Sequence, residues 1–324
     1  MTQKQTLMRV ENLRKTFPLK SKGLFTRRSL TAIDDLSFEI ARGETLALVG
    51  ESGCGKSTTG RVLLRLLQPT SGSIVFDGAR LEDLSNEQMR QLRRRMQIVF
   101  QDPSSSLNPR MRVRDVIAEP IINFGVVKGS RAVDRRVVEL LDRVGLNPDA
   151  LYRYPHEFSG GQRQRIGIAR ALAPGCEFIV FDEAVSALDV SVKAQIINLL
   201  VRLQQDLNLT TLFISHDLAI VEYLADRVAV MYLGAVVEIG ERKSIFGTPK
   251  HPYTQALLAA IPVPDPAVSK ERSQLEGDLP DPSSPPSGCR FRTRCPYAFD
   301  RCVTDAPAMR SLGNDHQAAC HLAS

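Results

Sequence analysis

The chain has 324 residues, 43% of them hydrophobic and 24% charged, with six cysteines, no tryptophan and a formal net charge of +6. That length allows one large domain with an appendage, or two domains, and the composition is that of an ordinary globular α/β protein. No stretch approaches 18 consecutive apolar residues, and the opening MTQKQTLMRV has no apolar run resembling a signal peptide. The expectation is therefore a chain that does not itself cross a membrane and that works in a reducing compartment. The modest positive charge suits a phosphate ligand, an acidic lipid surface or nucleic acid, and does not choose among them.

In chain order, "TAIDDLSFEI" (31–40) and "ETLALVG" (44–50) read as two strands hinged at Arg42-Gly43. A helix is expected from Lys56 to about Gln68, closed by Pro69. Short apolar runs at "SIVFDG" (73–78), "MQIVFQ" (96–101), "EFIVFDE" (177–183) and "TTLFIS" (210–215) read as further strands. Runs apolar on both faces, such as "FIVF", are what a parallel sheet covered on both sides requires. Between Met111 and Tyr152 the pattern turns helical, with 3.6-residue spacing in "VDRRVVELLDRVGL" (133–146) and Gly145 as its C-cap. Arg93, Arg94 and Arg95 read as a solvated helix end. After about Ile261, seven prolines between Pro262 and Pro286 mark an extended linker beside a small, loop-rich tail.

Three stretches carry chemistry. "GESGCGKST" (50–58) follows a strand and opens a helix, the context of a P-loop. Gly50, Ser52, Gly53 and Gly55 let successive backbone N–H groups curl around β- and γ-phosphates, and the helix N-terminus adds partial positive charge. Lys56 would reach the phosphate oxygens, Ser57 would ligate Mg²⁺, and Thr58 continues the site. "FIVFDE" then delivers two carboxylates at the C-terminal end of a buried strand, where open α/β sheets bind ligands. Asp182 would hold the magnesium and Glu183 would polarise an attacking water as general base. The third stretch, "FSGGQRQRIGIARAL" (158–172), places Ser159, Gly160, Gly161 and Gln162 at a helix start, a second phosphate-binding nest about 100 residues after the first.

On these motifs the sequence resembles the ATP-binding cassette (ABC) family, whose signature "FSGGQ" matches closely, and the resemblance spans roughly residues 6–260. It implies an ATPase with a P-loop fold: a mostly parallel sheet, an antiparallel β subdomain, a helical insert at about 102–170, and a C-terminal extension over 251–324 beyond a nucleotide-binding domain over 1–250. It also implies a head-to-tail pair of cassettes in which the signature of one faces the phosphates held by the other. Gln101 matches the family's glutamine that senses Mg²⁺ and the attacking water. "SALD" (186–189), ending in Asp189, matches the loop crossing the pair's interface, and His216 matches the histidine at the γ-phosphate. Phe17 corresponds to the aromatic that stacks on adenine. Ala184 departs from the proline many members carry there. Cys54, inside the P-loop, reads as packing with sensitivity to oxidation.

"VFQDPSSSLNPRM" and "HPYTQALLAAIP" look like segments of dipeptide and oligopeptide permease ATPases, as does a basic insert, "PLKSKGLFTRRSL" (18–30). The function implied is ATP-driven uptake of peptides. Nickel, heme or another peptide-like ligand are alternative cargoes, and a soluble ATPase acting on nucleic acid or ribosomes is the alternative class. Implied partners are two integral membrane permease subunits, a second cassette (a related chain or a copy) and, indirectly, an extracytoplasmic substrate-binding protein. No nucleic acid is expected. The implied place is peripheral, on the cytoplasmic face of the cell membrane.

Cys289, Cys295, Cys302 and Cys320 cluster near the end. Their spacing matches neither a C-x₂-C zinc knuckle nor a simple ferredoxin run, which leaves metal ligands, free thiols and disulfides open. "GCRFRTRCPYAFDRC" resembles the extension of peptide-permease ATPases, which implies a [4Fe–4S] cluster with Zn²⁺ as the alternative. Arg290, Arg292, Arg294 and Arg301 are candidates to offset its negative charge.

Overall fold

A computed structural model of the chain describes residues 5–19, 29–261, 278–313 and 315–323. Most of the basic insert and the first part of the proline-rich linker lie outside the described residues. The chain forms two compact units, each assembled from discontinuous stretches. One comprises Met1–Leu7, Ala41–Glu44 and Arg80–Ile214; the other comprises Met8–Ile40, Thr45–Ala79 and Ser215–Ser324.

In the first unit, the strands Met96–Val99, Phe178–Asp182 and Thr210–Ser215 pair in parallel, with Gln97 opposite Ile179 and Val180 opposite Leu212. The central strand is buried at every position, as its two-sided apolar run requires. The helical insert follows the predicted periodicity. Val133, Val137, Leu140 and Leu141 line the buried face of the helix Ser130–Arg143. That helix closes as its glycine foretells: Gly145 turns left-handed at φ 70°, and the N–H groups of Gly145 and Leu146 return to Asp142 O (2.8 Å) and Leu141 O (2.9 Å). The helices Val113–Asn123, Ser130–Arg143 and Gly160–Leu172 pack on one another. Of the arginines at the expected solvated helix end, Arg94 is exposed and Arg93 and Arg95 half-buried, and Arg95 and Arg94 also make contacts. Arg95 grips Glu177 in a fork (2.6 and 2.9 Å), and Arg94 Nε donates to Pro174 O at 3.1 Å.

In the second unit, the strand Thr45–Val49 runs parallel to Arg227–Tyr232, which continues through Leu233-Gly234 into the antiparallel strand Ala235–Glu241. An antiparallel sheet places Thr6–Pro18 between Ser29–Ala41 and Ser71–Phe76. The helix after the P-loop is shorter than predicted, Lys56–Leu63. Arg65 turns to φ 49°, and the N–H groups of Leu66 and Leu67 fold back onto Arg61 O, so the chain leaves the helix well before Pro69.

The C-terminal residues belong to this unit's fabric rather than hanging from it. Gln317–Ala318 adds a strand beside Glu238–Ile239 and pairs in turn with Arg310–Ser311. Phe291 is fully buried against Tyr232, Tyr253 and His251. Among the described residues no helix is long and apolar enough to cross a membrane.

Candidate active site

The P-loop lies in the second unit, between the strand Thr45–Val49 and the helix Lys56–Leu63. Gly55 takes φ 107°, and a Cβ there would stand 2.1 Å from Ala32 O, so this turn accepts only glycine. Ser52 and Gly53 are exposed at the loop's tip, while Lys56, at the first helical position, is buried. Its ammonium donates to Gly50 O and Glu51 O, both at 2.8 Å, lies 3.8 Å from Cys54 Sγ, and among the described residues has no carboxylate partner. A buried cation met only by neutral groups, at the N-terminus of a helix, suits a polyphosphate anion. Ser57 and Thr58 follow in the first helical turn, half-buried. Cys54 is buried and packs under the loop, and burial pushes its thiol above the ordinary range. The expected oxidation sensitivity therefore loses its basis: a buried, protonated thiol is a poor nucleophile. Phe17 is half-buried on the strand Thr6–Pro18, with Lys15 Nζ 5.0 Å from its ring centroid. His216, exposed, also falls in this unit.

The first unit holds the acidic half. Asp182 ends the buried strand Phe178–Asp182 at 4% exposure, and Glu183 follows at φ 49°. A non-glycine residue in that left-handed region is strained, and such strain concentrates at functional sites. It is held by two anchors: Glu183 N–H donates to Ile214 O (3.0 Å), while Glu183 O accepts from Ser186 N–H (3.0 Å) and Ser186 Oγ (2.9 Å). Ala184 and Val185, which follow it, are buried, and Glu183 itself is half-buried. Gln101 is exposed two residues beyond the strand Met96–Val99.

Ser159 caps the helix Gly160–Leu172 through a reciprocal pair: Gln162 N–H donates to Ser159 Oγ (3.3 Å), and Ser159 N–H donates to Gln162 Oε1 (3.0 Å). The signature's serine and glutamine thus build the helix start itself. Its second glycine has a packing reason too: a Cβ on Gly161 would lie 2.2 Å from Val192 Cγ1 in the helix Val190–Leu207. Asp189 caps that second helix by position without a side-chain hydrogen bond from it, and Val190 beside it is 83% exposed.

The tail cysteines are grouped. Cys289, Cys302 and Cys320 are buried and Cys295 half-buried. The thiols of Cys289, Cys295 and Cys320 are each raised first by burial and then by the negative character of the neighbouring tail thiols. Among the described residues, however, no three His, Cys, Asp or Glu side chains converge as a metal-holding set. The expected [4Fe–4S] or zinc site therefore gains no support from a formed ligand shell. Nor do the tail arginines serve it. Arg290 binds Asp34 and Leu233 O, Arg294 binds Glu51, Arg301 binds Asp305, and Arg292 Nε donates to Ser287 O.

Sequence reasoning missed a second set of buried polar residues. Glu238, fully buried, accepts from the backbone N–H of Lys250 (2.7 Å) and His251 (3.0 Å) and lies 2.7 Å from His316 Nε2. In "HPY", His251 is the N-cap, its Nδ1 accepting from Tyr253 N–H at 3.1 Å, and Pro252 takes the first helical position.

A strand–loop–helix phosphate cradle, an acidic strand end and a serine-capped glycine turn define a P-loop nucleotide-hydrolysing cassette. Comparison with known proteins places it further. Residues 33–186 match the ABC transporter family, and residues 237–302 match the oligopeptide/dipeptide transporter C-terminal region. The chain belongs to the ABC transporter family. It is 50% identical over 325 residues to the oligopeptide transport ATP-binding protein AppF of Bacillus subtilis, covering 99% of this chain and 98% of that one. It is 52% identical over 314 residues to a putative peptide import ATP-binding protein of Brucella ovis, 97% of each chain. Among solved structures, it resembles CbiO1 of Clostridium perfringens, part of the ABC transporter complex CbiONQ, with TM-score 0.65 and 31% identity over 75% of this chain and 92% of that one. It also resembles the dimeric cassette MJ0796 bound to ADP and Pi, with TM-score 0.65 and 26% identity over 72% of this chain and 98% of that one.

Proposed function

We propose that this chain is the ATP-binding and ATP-hydrolysing subunit of an importer for dipeptides and oligopeptides. What carries the reading is one chain holding both the Lys56 P-loop and a C-terminal region similar to that of oligopeptide/dipeptide transporters. Lys56 and the amides around Gly53 and Gly55 bind the phosphates of ATP, and Phe17 stacks on adenine. Ser57, Gln101 and Asp182 would hold Mg²⁺, which neutralises charge on the phosphate oxygens when bound. By the family resemblance, Glu183 takes the proton of the attacking water, and His216 orients that water. Ser159, Gly160, Gly161, Gln162 and Asp189 serve the opposite cassette of the pair, which matches the exposure of Val190 at the start of that loop's helix.

The nucleotide-binding domain spans 1–250, with its helical subdomain at about 102–170, and the extension spans 251–324. Partners are two integral membrane permease subunits, a second cassette (a related chain or a copy) and, indirectly, an extracytoplasmic substrate-binding protein, with this chain peripheral on the cytoplasmic face of the cell membrane. A [4Fe–4S] cluster on Cys289, Cys295, Cys302 and Cys320, or Zn²⁺ instead, rests on the resemblance alone. Counting iron, zinc and sulfide in protein purified without oxygen or chelators decides it, and metal-free folded protein removes it.

Uptake of a radiolabelled tripeptide by cells carrying Lys56→Ala tests the function. Loss of uptake, restored by the wild-type chain, is expected. Undiminished peptide uptake together with lost nickel or heme uptake would overturn the peptide reading.

A further inference from the structure

Glu51, the second residue of the P-loop, is held from three sides, and two of the holders come from the C-terminal extension. Its carboxylate receives a bidentate fork from Arg294, Nη1 to Oε2 at 2.8 Å and Nη2 to Oε1 at 3.0 Å. The Arg294 side chain is 7% exposed and that of Glu51 25%, so the guanidinium is shielded while the carboxylate keeps an edge in solvent, and the Glu51 carboxylate holds that guanidinium more firmly protonated than usual. The backbone N–H of Glu51 donates to Tyr253 Oη at 2.9 Å. Tyr253 is fully buried, packed against Tyr232 and Phe291. The third holder is Lys56 itself, whose ammonium binds Glu51 O at 2.8 Å. One residue therefore links the phosphate-binding lysine to the "HPY" helix and to the cysteine-bearing tail. All of these contacts lie inside a single compact unit.

A P-loop works by presenting backbone N–H groups at fixed positions, and Glu51 lies at the bend where the strand becomes the loop. Nothing in the phosphate chemistry calls for a carboxylate there; a negative side chain beside a polyphosphate is unfavourable unless a cation neutralises it. Arg294 supplies that cation and fixes its direction, since a guanidinium fork sets geometry as well as charge. Tyr253 fixes the Gly50–Glu51 peptide plane from its N–H side, and Lys56 grips the same plane at Gly50 O (2.8 Å).

We propose that the C-terminal extension positions the P-loop, with Arg294 and Tyr253 as positioning residues that act through Glu51 to set the affinity for Mg·ATP. The extension is then part of the nucleotide site's support, and disturbing the tail around Arg294 weakens nucleotide binding.

This inference rests on the P-loop binding ATP, and the test separates the two claims. A fluorescent ATP analogue with Mg²⁺ is titrated into the full chain and its Arg294→Met, Arg294→Lys, Glu51→Gln, Tyr253→Phe and Arg294→Met/Glu51→Gln variants, with melting temperatures measured in parallel without nucleotide. Failure of the wild-type chain to bind would sink the ATP reading itself. With wild-type binding in hand, Arg294→Met is expected to raise Kd about tenfold, the scale of a lost hydrogen-bonded charge pair. Arg294→Lys should fall between wild type and Arg294→Met, because it keeps the charge and loses the fork. Tyr253→Phe should raise Kd several-fold. The double variant should bind no worse than the worse single, the non-additivity of residues acting through one contact. At saturating nucleotide kcat should stay within about threefold of wild type, since the hydrolytic residues are untouched. Unchanged Kd across the series, or single effects that multiply in the double variant, would overturn the proposal. Glu51→Gln, nearly isosteric, keeps the test valid should Arg294→Met fail to fold.

Discussion

At Gly161 a methyl group has nowhere to go, because Val192 Cγ1 would stand 2.2 Å from it. Gly161→Ala is expected to lower stability by about 1–3 kcal/mol, the range for overpacking a tight contact. Thermal melts check it: Val192→Ala in the same background should recover most of the loss, and an unshifted single variant would contradict the packing reading. His251 gives a second expectation. Burial lowers its imidazole pKa to about 4, against 6.5 for an ordinary histidine, and its Nδ1 is already an acceptor. The folded chain therefore holds this ring neutral, while the unfolded chain protonates it first. Its stability contribution is complete above pH 6.5 and is lost as pH falls from 6.5 through 4, on the order of 3 kcal/mol in all. Denaturant midpoints across that window should fall less steeply for His251→Asn, which retains a capping side chain; parallel slopes would show that another group governs the acid limb. The serine, glycine, lysine and carboxylate motifs were readable because their spacing is local. Glu51–Arg294 was not, since its partners lie 243 positions apart.

Among the elements, the strands Phe178–Asp182 and Thr210–Ser215 were legible from two-sided apolar runs. The hairpin of Arg227–Tyr232 and Ala235–Glu241 was missed, although valine-rich runs flanking Leu233-Gly234 carry a strand–turn–strand signal. The P-loop helix ran long in the sequence reading because Pro69 was its visible stop, whereas a left-handed Arg65 ends it first. Two turns beside these elements bury a thiol each. Burial pushes Cys176 up to about 12, and Cys54 lies under the P-loop, also raised. Iodoacetamide at pH 8 should leave both unmodified in folded protein and alkylate both after denaturation, read by peptide mass spectrometry. Rapid native labelling of Cys54 would show that the loop opens.

For the molecule as a whole, family motifs made the cassette legible, and the tail was the least legible part. Its cysteines read as metal ligands, yet its side chains make contacts of another kind, Arg294 with Glu51, Arg290 with Asp34, and His316 with Glu238, all with residues far away in the sequence. Periodicity and spacing carry no signal for such pairings, which depend on how distant segments fold together. The proposed function gives Glu183 the role of base in ATP hydrolysis. The most direct measurement is phosphate release from Mg·ATP by the wild-type chain and by Glu183→Gln, together with the identity of the nucleotide that stays bound. Release at least about 100-fold slower in the variant, with intact ATP retained, is expected. Equal rates in the two proteins would contradict it.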